Sequence, residues 1–176
     1  MKIPAAGFRV VSLSMLVCIV AIPAFADAET AEQAVVTAAV DGAPWRAERA
    51  QATTLAIAGK PQLNLAATRQ TGGVQIINVM LPLKRAGDYE GSYLFAAHAS
   101  PGNAPTANFS VPARSDDLME KSFGLLGTLV VERYDAATKT LSGHFSFNGE
   151  TRGHGAKIAV TDGKFVGVPV DPVVAP

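Results

Sequence analysis

Residues 140–148 (TLSGHFSFN) alternate without a break: Leu141, Gly143, Phe145 and Phe147 fall on one side, Ser142, His144, Ser146 and Asn148 on the other. A period of two buries its apolar side only when the backbone is extended. A second run, 158–165 (IAVTDGKF), follows closely, and its Asp162-Gly163 pair is expected to make a turn because both residue types tolerate positive φ. The block 127–167 therefore reads as hairpin-forming strands, and the chain as an antiparallel β-protein.

The rest of the chain repeats the signal. Strands are expected at 35–40, 53–58, 62–68, 74–81, 106–111 and 124–134, with a short aromatic segment at 89–97. Turn residues stand between them: Asp41-Gly42, then Gly59 to Pro61, Gly72-Gly73, Gly87-Asp88, and Asp135 to Lys139. In 62–68, Leu63, Leu65 and Ala67 are expected inward and Gln62, Asn64 and Ala66 outward. In 106–111 the inward set is Ala107, Phe109 and Val111. Segment 74–81 is apolar on both faces apart from Gln75 and Asn78, which suits a central strand. The one helical candidate is 115–121, with Ser115 as cap, Asp116 and Asp117 at its positive end and Lys121 at its negative end. Strand candidates every ten to fifteen residues predict a single β-sandwich or barrel of about eight to ten strands, with at most one short helix. Alternation alone does not separate sandwich from barrel.

The N-terminus predicts export. Lys2 and Arg9 precede an apolar run from Leu13 to Ile22, then Pro23 and Ala24-Phe25-Ala26 before Asp27. Small residues one and three places before the bond fit a signal peptidase, so cleavage between Ala26 and Asp27 is expected. The run is ten residues, short of the roughly 20 that span a bilayer, so no transmembrane span is expected after processing. The domain expectation is a signal peptide at 1–26, a disordered leader at 27–34, a β-domain at 35–168 and a Pro-rich tail at 169–176. The protein is expected in the periplasm or outside the cell.

Charge narrows the partners. The whole chain is neutral, with 15 basic and 15 acidic residues, and the signal holds two basic and no acidic ones, so the mature part carries 13 against 15. That is not the basic footprint of a nucleic-acid binder, and no nucleic-acid partner is expected. The single cysteine, Cys18, lies in the signal, leaving a mature chain that folds without disulfides.

The motifs at 127–131 (GTLVV), 135–147 (DAATKTLSGHFSF) and 160–165 (VTDGKF) resemble a family of uncharacterised exported β-proteins of Gram-negative bacteria, many of them lipoproteins. The early 39–45 (AVDGAPW) is similar to that family's opening strand, and 87–93 (GDYEGSY) to its middle. The resemblance implies the fold and carries no catalytic residues. At Cys18 the chain departs from the lipoprotein pattern: Val17 precedes it, where lipidation needs a small residue.

Few residues carry a chemistry. His98, His144 and His154 are the only histidines and lack metal-ligand spacing. No serine sits in a Gly-x-Ser-x-Gly elbow, and Asp116-Asp117 lacks the acidic spacing of a calcium loop. Asn108 to Ser110 matches a glycosylation acceptor by chance, within a strand. Neither enzyme activity nor a cofactor is implied. The aromatics Trp45, Tyr89, Tyr93, Phe95, Phe109, Phe145 and Phe147 are expected to fill the core. If the strands close into a barrel, Trp45 and Tyr93 are the candidates for lining a pocket that holds a small apolar ligand. The functional expectation is a non-catalytic binding protein. Its alternative is an envelope module that presents the loops 100–105 and 113–121 to an envelope protein.

Overall fold

The structure, a computed structural model, describes residues 34–57, 59–95, 103–112, 119–151 and 155–171. These form ten strands: β1 (Val35–Val40), β2 (Ala43–Arg46), β3 (Arg49–Ile57), β4 (Lys60–Arg69), β5 (Gln75–Pro82), β6 (Gly91–Phe95), β7 (Thr106–Pro112), β8 (Met119–Asp135), β9 (Thr140–Thr151) and β10 (Lys157–Asp171). The all-β expectation holds.

The ladders close into a ring. β3, β4, β5, β7, β8, β9 and β10 pair in that order, each antiparallel to the next. β10 then returns to β3 through the one parallel pairing, Val170 opposite Ala52 and Asp171 opposite Thr53. A sheet closed on itself has no edge within the ring, so the architecture is a barrel. The remaining strands flank it. β1, with β2 outside it, lies along β10 at 160–166, and β6 lies along β8 at 127–131.

Closure requires the long strands to bend. β8 and β10 each carry two register irregularities, and an extra residue in one strand sharpens its local twist. One of these corrects an expectation. Asp162-Gly163 does not turn the chain; it sits within β10, at the irregularity between Val160 and Gly163, with Asp162 at φ 52°. The positive φ anticipated there is real, but it serves a bulge. Asp41-Gly42, by contrast, does turn β1 into β2, with φ of 50° and 80°.

The barrel is filled by phenylalanines that stand opposite glycines. Phe145 pairs with Gly163, Phe165 with Gly143, and Gly127 lies between Phe147 and Phe95. An added Cβ would come within 2.6 Å of the Phe145 ring at Gly163 and within 2.7 Å of the Phe165 ring at Gly143. Each ring thus occupies the volume its partner's side chain would need. Phe145 and Phe147 are both buried, as the alternation predicts, and Phe147 meets Phe95 edge-on at 6.1 Å. Leu63, Ile77, Leu81, Leu129 and Val160 complete the same cluster.

Four further expectations change. Gln62, placed outward, is fully buried: alternation fixes which side a residue faces, not what covers that side. Met119 to Lys121, placed in a helical turn, open β8, while 115–118 lie outside the described residues. The β-domain does not stop at Val168, because Pro169 to Asp171 continue β10 and buried Val170 makes the closing pair. Val111 is half-buried against the core rather than within it. Ala26, Asp27, Cys18, His98, His154, Asp116 and Asp117 lie outside the described residues.

Candidate ligand groove

After β5, the Leu83 N–H bonds the Pro61 carbonyl, and a tight turn follows in which the Asp88 N–H reaches Arg85 and the Tyr89 N–H reaches Gly87. Gly87 (φ 97°) and Gly91 (φ 147°) supply backbone shapes that other residues rarely adopt. Between them Tyr89 drops into the barrel end, buried, its hydroxyl 3.0 Å from the buried Thr54 hydroxyl. Tyr134, at the end of β8, meets the Tyr89 ring edge-on at 4.7 Å. Tyr93 donates its hydroxyl to the Tyr89 carbonyl at 2.8 Å, with its ring lying over Gly91. A Glu90 carboxylate oxygen accepts the Tyr134 N–H at 2.9 Å and ties the turn to β8.

The chain has three tyrosines, and all three line one open groove of about 710 Å³, with Lys84, Asp88 and Glu90 on its walls. Two of the rings are pinned through their hydroxyls, so the surface they form is set before any ligand arrives. The Tyr93 phenol titrates above its usual range, first because burial disfavours the phenolate and then because the Asp88 carboxylate repels it.

Trp45, the other expected lining residue, is placed elsewhere. It is buried in β2, and its indole N–H donates to the Gln75 side chain at 2.8 Å. It borders a separate depression of about 640 Å³, shared with Arg46, Glu48, Arg69 and Thr71. There the Glu48 carboxylate accepts the Thr71 hydroxyl and N–H, which hold it below the usual carboxylate range. The structure therefore does not bring Trp45 and Tyr93 together. A third depression, about 730 Å³, lies over the Asp162 bulge, where exposed His144 contacts Glu132 at 2.9 Å. No group of His, Cys, Asp and Glu among the described residues is arranged to hold a metal.

Sequence reasoning named Tyr93 as a lining candidate and did not name Tyr134 or Asp88, which border the same groove. Tyr134 is 41 positions from Tyr93 in the sequence, and only the β6–β8 register, with Gly91 opposite Val131, brings them to one place. The scarcity of tyrosine was the available hint.

A family model for a domain of unknown function (DUF6252) matches residues 32–169. No curated protein and no solved structure matches the chain.

Proposed function

The chain belongs to the DUF6252 family of domains of unknown function, and from that premise we propose that it is an exported, non-catalytic binding protein whose ligand sits in the tyrosine groove. The observation that carries the reading is the convergence of all three tyrosines on one open groove. Ligand sites favour aromatic surface with a few placed polar groups, and tyrosine supplies both in one rigid side chain. The barrel interior is the weaker choice, because Phe145, Phe147 and Phe165 occupy it. Export rests on the N-terminal pattern, with processing between Ala26 and Asp27, and places the protein in the periplasm or outside the cell.

The test is native mass spectrometry of protein purified from its own cell envelope. A small molecule that co-purifies with the wild type and is lost in Tyr93→Ala supports the groove; repeated recovery of bare protein overturns it. The same spectra check processing, since a diacylglycerol mass on Cys18 replaces the soluble form with a lipoprotein.

A second reading, an envelope interaction module, is favoured by Leu94 and Leu126. They are 69% and 67% exposed on the adjoining strands β6 and β8, and β6 pairs on one side only among the described residues. Such an edge accepts a strand from a partner protein. Crosslinking from Leu94 to an envelope protein, with no ligand in the groove, would favour this reading.

A further inference from the structure

We propose that the tyrosine groove selects a cationic small molecule, an ammonium group carried on an apolar body; this rests on the groove being the ligand site. Tyr93 and Tyr134 bring half-buried rings to the groove lining beside buried Tyr89, and the quadrupole of an aromatic ring attracts a cation. Two carboxylates, Asp88 and Glu90, share its walls with a single ammonium, that of Lys84. Among the described residues neither carboxylate lies within ion-pair distance of a cation, the two ion pairs being Arg133–Asp135 and His144–Glu132. One Glu90 oxygen is committed to the Tyr134 N–H; Asp88 makes no side-chain hydrogen bond to a described residue.

Asp88 borders the groove beside Tyr93, and after burial its charge is the second cause opposing ionisation of that phenol. A cation beside Tyr93 would answer that charge, while Pro82 and the ring faces would cover an apolar body. The hydrogen bonds from Tyr93 to Tyr89 and between Tyr89 and Thr54 fix the rings beforehand, which lowers the ordering cost of binding. An anionic ligand would meet two carboxylates and gain only Lys84.

The test titrates the full-length mature protein at low salt with n-hexylammonium chloride and, separately, n-hexanol, followed by NMR at Tyr93 and Tyr134. The expected result is that hexylammonium binds about fivefold more tightly than hexanol, the ratio corresponding to one exposed cation–π or ion-pair contact. Asp88→Asn, a change at an exposed position, is expected to erase most of that difference, and an unchanged ratio would overturn the part assigned to Asp88. Equal affinity for the two probes would overturn the cationic class but leave the groove as a ligand site. No perturbation of either tyrosine by either probe would overturn the groove itself. Sedimentation with phosphatidylethanolamine vesicles, without binding of free hexylammonium, would place the ammonium on a membrane and overturn the small-molecule assignment.

Discussion

Replacing Gly143 by alanine tests whether the Phe–Gly pairing holds the barrel together. The new Cβ would overlap the Val130 carbonyl oxygen and stand 2.7 Å from the Phe165 ring, where ordinary contact begins near 3.4 Å. The ring must therefore retreat by about 0.7 Å and the carbonyl by more. Neither has room: Phe165 is 1% exposed, and Val130 belongs to the β8–β9 ladder. Overpacking of this kind costs about 1–3 kcal/mol, and one strained ladder hydrogen bond adds about 1 kcal/mol. The expected loss is about 3 kcal/mol, equivalent to roughly 10 °C in melting temperature for a domain of this size. Urea unfolding followed by Trp45 fluorescence measures it, since Trp45 is the only tryptophan and is buried. Gly42→Ala is the control: nothing lies within 4 Å of its added Cβ, and only the φ of 80° is strained, at about 1–2 kcal/mol. The reasoning fails if Gly143→Ala unfolds at the wild-type urea midpoint, or costs less than the control.

Phe145→Ala and Phe147→Ala, at two rings each 2% exposed, are each expected to cost about 3–5 kcal/mol; an unchanged melting curve for either removes it from the core. Val170→Asp, which buries a lone carboxylate at the closing pair, is expected to cost about 3–5 kcal/mol, while the neighbouring exposed Asp171→Asn is expected to be neutral in the same denaturation assay. The Tyr93 phenol has a raised pKa, so the unfolded chain loses this proton first. Its stabilising contribution is then complete below about pH 10 and lost as pH rises through the folded value. Melts from pH 9 to 11 should fall less steeply for Tyr93→Phe than for the wild type, and identical slopes would refute the assignment.

Local signals were legible wherever one residue type answers one local need. The first strand was expected at 35–40 and is Val35–Val40; Asp41-Gly42 turns as its residue types demand. Asp162-Gly163 met the same demand for positive φ, yet a bulge and a turn differ only in what the chain does several residues later. Pro169 and Pro172 made the C-terminus look unfit for a strand. Proline is tolerated at edges and bulges, and Pro169 lies where β10 exchanges β1 for β3 as its neighbour. The candidate groove was half legible. Tyr93, just after Gly91, was named from a short aromatic segment, whereas the place of Tyr134 depends on a strand register that no single segment encodes.

The closing contact between Val170 and Ala52 joins residues 118 positions apart. Loop closure over such a distance is slow, and barrels dominated by distant pairings fold slowly for this reason. A chain emerging N-terminus first therefore has no partner for the free edge of β3 until β10 has emerged. For the export proposed above this timing is an advantage, because the polypeptide stays threadable during passage through a membrane channel and gains its closed form only after release. The same delay leaves the β3 edge open to other chains, so crowded refolding at high concentration should yield aggregates paired through 49–57 before it yields barrels.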